Sequence, residues 1–142
     1  MHSIRQILEG KTAQVICVTE QTPVLEVIRL MAEHAIGSVL VMRGDTLAGI
    51  ATERDYARKV ILKGRNSQDT PVADIMSSPV ITVGSGEDIR RCMQIVSDRR
   101  IRHLPVVDDG RVIGLISIGD LLKWVIREQE HEIEQLQQYI AG

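Results

Sequence analysis

Gly49-Ile50-Ala51-Thr52-Glu53-Arg54-Asp55 and Gly114-Leu115-Ile116-Ser117-Ile118-Gly119-Asp120 are one pattern written twice: glycine, two apolar residues, a hydroxyl, two variable positions, aspartate. The copies lie 65 residues apart, and sliding the chain by that amount aligns 15–57 with 80–122 without a gap. The identical pairs are Val15/Val80, Ile16/Ile81, Val18/Val83, Ile36/Ile101, Val41/Val106, Gly49/Gly114 and Asp55/Asp120. Identities this sparse carry less weight than the phasing of the apolar residues. A repeat must be settled before anything else, because it decides the architecture.

Working outward, Val24, Val27, Ile28 and Met31 recur at i, i+3, i+4, i+7, the core stripe of a helix. Their counterparts Ile89, Cys92, Met93 and Val96 draw the same stripe. Thr22-Pro23 and Ser85-Gly86-Glu87-Asp88 are the expected helix starts. Each helix follows a short strand, Val15–Val18 or Ile81–Val83. Two apolar runs come next, Ser38–Met42 with Thr46–Ala51 and His103–Val107 with Arg111–Ile116, joined by turns as hairpins require. Arg43-Gly44-Asp45, which also spells a cell-adhesion tripeptide, reads as the first of those turns. A second helix closes each half, from Glu53 and from Ile118. The fold class is therefore α/β, built from tandem βαββα repeats.

The twice-written motif puts a hydroxyl at the start of each closing helix and a carboxylate one turn in. It can be a capping box, in which the two side chains satisfy each other's backbone amides. It can equally be a ligand site, because a helix N-terminus attracts anions and an acceptor-only carboxylate suits the hydroxyls of a ribose. Gly49 and Gly114 would then remove a Cβ where the ligand approaches.

This motif inside these repeats resembles the cystathionine-β-synthase (CBS) domain pair, over about residues 11–126. The resemblance implies pseudo-twofold symmetry, a regulatory rather than catalytic role, and adenosine derivatives (AMP, ADP or ATP, with NAD or S-adenosylmethionine as alternatives) in two clefts. It implies Asp55 and Asp120 on ribose and Thr52 and Ser117 on phosphate. Ser77 would join Thr52 and Asp55, and Thr12 would join Ser117 and Asp120. Arg102 and His103 stand where the family carries phosphate-binding basic residues; Gly37 and Ser38 replace them in the first half. The two sites are thus expected to differ, with Asp120 assigned to the stronger. It also implies a dimer that reports to a separate effector, or, in the alternative reading, a pure interaction module.

The net charge of −2 gives no global pull toward nucleic acid or anionic lipid. Tyr56, Trp124 and Tyr139 are the only aromatic residues, too few for a base-stacking surface. Arg54, Arg58, Lys59 and Lys63 read as a wet helix face that could also steer a polyphosphate. Cys17 and Cys92, both in apolar runs, are expected to be buried and inert. His2, His34, His103 and His131 have no metal-ligand spacing, and no phosphate-binding Gly-Lys loop is present. No catalytic residue and no metal site are expected.

The expected divisions are a first repeat with its N-terminal segment (1–62), a linker (63–74), a second repeat (75–127) and a helical tail (128–142). The tail belongs to a helix read from Leu121 to Ile140, in which Leu122, Ile126, Gln129, Ile133, Leu136 and Ile140 step by four and three like a coiled-coil seam. A homodimer with the tail at or near its interface is expected. The polar N-terminus and two free thiols point to the cytoplasm, with no membrane segment.

Overall fold

The computed structural model describes residues 2–11 and 15–141. The element order is α1 (Arg5–Gly10), β1 (Cys17–Thr19), α2 (Val24–His34), β2 (Ser38–Arg43), β3 (Thr46–Thr52), α3 (Glu53–Tyr56), α4 (Ile89–Arg99), β4 (His103–Asp108), β5 (Arg111–Ser117) and α5 (Ile118–Ala141). A π-helical turn, Ala57–Ile61, extends α3, and a 3-10 turn, Val72–Asp74, follows the linker. β2 pairs antiparallel with β3, and β4 with β5.

Two apolar cores follow the repeat. One holds Val18, Val24, Val27, Met31, Val39, Val41 and Ala51; the other holds the counterparts Val83, Ile89, Cys92, Val96, Leu104, Val106 and Ile116. Burying each such aliphatic side chain contributes roughly 1.5–3 kcal/mol, so the shared phasing is also the shared source of stability.

The first strand of each half behaves differently. β1 pairs in parallel with β2 from Cys17↔Leu40 to Thr19↔Met42, and Leu40 N donates to Ile16 O at 3.0 Å. The expected strand Ile81–Val83 is reduced to one parallel bridge, Val83↔Val106. The counterpart of Leu40 is Pro105, which has no N–H to offer the Ile81 carbonyl. The second sheet therefore has two strands. Because β1 alternates, its Val18 points inward and Cys17 is exposed, contrary to expectation, while Cys92 is buried. Partial burial still pushes the Cys17 thiol up from its ordinary value.

The helix starts also differ from expectation. Pro23 itself occupies the N-cap of α2, and Thr22 Oγ1 instead accepts from Thr19 N at 3.2 Å. Linker carbonyls replace the missing cap: Val24 N donates to Thr70 O and Leu25 N to Ser67 O. α4 is capped by Asp88, which accepts from Arg90 N at 3.2 Å. Ser85 is buried elsewhere, between Arg5 and Asp108.

The segments that precede the two repeats are exchanged. Ile4 and Ile7 sit in the second core, whereas Val72 and Ile75 sit in the first. Matching backbone bonds hold them, Ile4 N to Glu87 O at 3.0 Å and Val72 N to Thr22 O at 2.8 Å. Residues 2–10 thus complete the half that is distant in sequence, and the linker completes the half it has just left.

Candidate functional site

Each closing helix begins with a capping box. Thr52 N and Thr52 Oγ1 both donate to Asp55 Oδ2, at 3.0 and 3.1 Å, and Asp55 N donates back to Thr52 Oγ1 at 3.2 Å. In the second half Ser117 N donates to Asp120 Oδ2 at 2.8 Å, and Asp120 N donates to Ser117 Oγ at 3.1 Å. A cap of this kind contributes about 0.5–2 kcal/mol. One reading of the motif, helix capping, therefore holds in both copies. It leaves the other compatible, because a carboxylate has acceptor capacity beyond the box.

That capacity is shared with two lysines that sequence reasoning did not assign. Lys59 Nζ lies 3.1 Å from Asp55 Oδ1 and donates to Ile75 O at 2.8 Å. Lys11 Nζ lies 2.7 Å from both Asp120 Oδ2 and Leu115 O. The i, i+4 spacing of Asp55 and Lys59 was the available signal. Nothing in the sequence links Lys11 to Asp120, since the exchange of the N-terminal segment brings them together. Burial alone would raise the Asp120 carboxyl, but the Lys11 hydrogen bond, the Ser117 amide and the lysine charge together hold it below its ordinary value.

Two clefts lie between the halves. The first encloses about 430 Å³ and gathers Thr52, Asp55 and Ser77 on one side and Arg102 and His103 on the other. Ser77 Oγ points to Asp55 Oδ1 at 3.4 Å. Ser77 also pairs with Ile50 through both backbone groups, which fixes the segment after the 3-10 turn against β3. Arg54 and Arg58 line this cleft too, as do Arg100 and Glu53, which sequence reasoning missed. Four guanidinium groups and two carboxylates thus line this cleft.

Burial, aided by the charges of Lys11 and Arg102, lowers the His103 imidazole below its ordinary value despite Asp120 and Glu53. His103 is therefore a neutral donor or acceptor at neutral pH.

The second cleft, of about 470 Å³, is lined by Leu8, Lys11, Val15, Ile16, Ile36, Ser38, Ile113, Gly114 and Leu115. It matches the first by the repeat: Val15, Ile16, Ile36 and Ser38 stand for Val80, Ile81, Ile101 and His103. Ser117 and Asp120 are not among its lining residues. Thr12 lies outside the described residues.

Two expectations need correction. Arg102 and His103 share a cleft with Asp55, not with Asp120, because the first residues of β4 face the helix start of the opposite half. The cleft lined by more cationic side chains is accordingly that of Asp55. The motif glycines, further, make room for protein. A Cβ on Gly49 would meet Met76 Sδ at 2.5 Å, and a Cβ on Gly114 would collide with Leu8.

The CBS-domain family model matches the chain twice, over residues 4–62 and 72–127. The chain belongs to the CBS-domain family, as a tandem pair. It is 42% identical over 131 residues to the CBS domain-containing protein CBSX3, mitochondrial, of Arabidopsis thaliana, covering 89% of this chain and 63% of that one. A protein with CBS domains from Burkholderia ambifaria, provisionally assigned to signal transduction, superposes with a TM-score of 0.87 at 47% identity, over 90% of this chain and 96% of that one. A hexameric CBS-CP12 protein from bloom-forming cyanobacteria superposes with a TM-score of 0.76 at 26% identity, over 86% of this chain and 70% of that one.

Proposed function

We propose that the chain is a non-catalytic regulatory module that binds an adenine nucleotide, AMP, ADP or ATP, in the first cleft and signals to a separate effector. One observation carries this reading. Thr52, Asp55 and Ser77 line one side of a cavity of about 430 Å³ and Arg100 and Arg102 of the second repeat line the other, with Arg54 and Arg58 of the Asp55 segment also in its lining. The carboxylate side offers acceptors for a ribose, the aliphatic residues Val80, Ile81 and Ile101 offer a flat apolar seat for a base, and Arg102 offers a paired donor for phosphate. NAD, with its second nucleoside, is the larger candidate.

The provisional assignment of the Burkholderia relative to signal transduction supports a regulatory role. Ile118 N, at the start of α5, donates to Arg102 O at 2.8 Å, so a change at Arg102 has a rigid element to act upon. The exposed seam of that helix is the surface for self-association, and the cyanobacterial hexamer is a precedent for assembly. Two free thiols fit a reducing compartment such as the cytoplasm. No helix among the described residues is long and apolar enough to cross a membrane.

The test is the thermal midpoint with AMP, ATP, NAD and S-adenosylmethionine, since a ligand of the native state raises it. Arg102→Ala should weaken AMP about ten- to a hundredfold, the loss of a charged hydrogen bond of roughly 1.5–3 kcal/mol, while leaving adenosine unaffected. No shift with any of the four would favour the alternative, a pure interaction module working through α5.

A further inference from the structure

The two lysines at the carboxylates come from different places, and this makes the clefts unlike. Lys59 belongs to the same helix as Asp55 and reaches it from the following turn. Its ammonium is held by Ile75 O, and Lys59 is absent from the lining of the first cleft, so Asp55, Thr52 and Ser77 still face the cavity. Lys11 reaches Asp120 from outside its repeat, on the exchanged N-terminal segment. It lines the second cleft, and the carboxylate and hydroxyl behind it do not.

The geometry assigns Lys11 as the gate of the second cleft: its ammonium, clamped between Asp120 Oδ2 and Leu115 O, holds the position that the hydroxyls of a ribose must take. This rests on the nucleotide reading of the clefts.

The chemistry favours the lysine over a ribose. Its bond to Asp120 is charge-assisted and short, whereas a ribose diol brings two neutral donors to the same carboxylate. The two side chains are 27% and 20% exposed, so salt screens the pair less than it would a pair on the open surface. The first cleft has four arginines to hold a phosphate; the second has Lys11 as its one charged lining residue among the described residues. A nucleotide entering the second cleft must therefore displace the group that would otherwise bind its phosphate. The wild-type chain should take one nucleotide, in the first cleft, and the second cleft should open only when Lys11 is withdrawn.

The experiment is the stoichiometry of AMP by isothermal titration and native mass spectrometry, on the full chain. Wild type should bind one AMP per chain. Lys11→Met should bind two, and adding Asp120→Asn to that variant should return it to one. Two equivalent AMP molecules on wild type overturn the gate with no variant needed. One AMP on both wild type and Lys11→Met overturns it while leaving the nucleotide reading intact. No binding of AMP or, in the same titration, of ATP on either protein overturns that reading and the gate together. Because Lys11→Met leaves Asp120 unpaired, Lys11→Gln, which keeps a donor without the charge, is the second variant. It should bind the second AMP more weakly than Lys11→Met, and failure to bind more than wild type counts against the gate.

Discussion

Met76 lies across Gly49 so closely that a methyl group at position 49 would fall 2.5 Å from its sulfur, 2.8 Å from Cγ and 3.1 Å from Cβ. The glycine is thus a seat for the exchanged linker. The matching contact of Gly114 involves only the far end of Leu8, which can swing away. Gly49→Ala should therefore cost more than Gly114→Ala. Overpacking of this kind costs about 1–3 kcal/mol, with Gly49→Ala near the top of the range. Denaturant unfolding of both variants measures this, and equal costs would remove the close approach as the reason for the first glycine.

Ile4 is fully buried in the second core although it is the fourth residue of the chain. Ile4→Ala should cost roughly 2–5 kcal/mol, as a core truncation does. Ile75→Ala, at the counterpart of Ile7 and equally buried in the first core, should cost a similar amount. A loss for Ile4→Ala within the noise of a surface substitution would mean that the N-terminal segment does not hold the second half together.

The repeat and its hairpins were legible because a single offset carries Val24, Val27 and Met31 onto Ile89, Cys92 and Val96, and periodicity reports that directly. The exchange was not. Ile4 and Ile7 match Val72 and Ile75 at an offset of 68, not 65, so no single slide reveals them. The same shift hid Lys11, whose partner lies 109 residues away. The missing strand at Ile81 was legible in principle, since Pro105 lacks the donor that Leu40 supplies, but only once strand pairing is known. Thr52 and Asp55 were read together from the motif and Ser77 joined them only through the family resemblance, whereas the union of Arg102 with Asp55 required the packing of one half against the other.

His103 gives a pH dependence with a definite sign. Burial first, then the charges of Lys11 and Arg102, lower its folded value below the ordinary 6.5, with Asp120 and Glu53 opposing. Between the two values the unfolded chain binds a proton that the folded chain refuses. Stability from this group is therefore complete above 6.5 and is lost as pH falls toward the folded value. His103→Gln should flatten that part of the stability profile. A bound phosphate acts in the opposite direction by favouring the imidazolium, so AMP affinity should rise on mild acidification relative to adenosine. Identical pH slopes for wild type and His103→Gln, in both unfolding and AMP binding, would sink the assignment.

Beyond Glu128, every residue of α5 from Gln129 to Ala141 is exposed, and the seam residues Ile126, Ile133, Leu136 and Ile140 are 52%, 54%, 60% and 82% exposed. A polar helical stretch this short is marginal in water without a partner. A second copy in parallel would supply one. Its flanking positions would set Glu130 opposite Val125 and Glu132 opposite Gln137, with no like charges facing each other. An antiparallel pair centred near His131 would instead face acid against acid. The seam has one polar layer, Gln129, so Gln129→Leu should tighten the assembly and Ile133→Asp should weaken it. Deleting residues 129–142 should lower the mass seen by light scattering at a concentration where the full chain is associated. An unchanged mass would move the interface onto the domain itself, leaving the tail without this role.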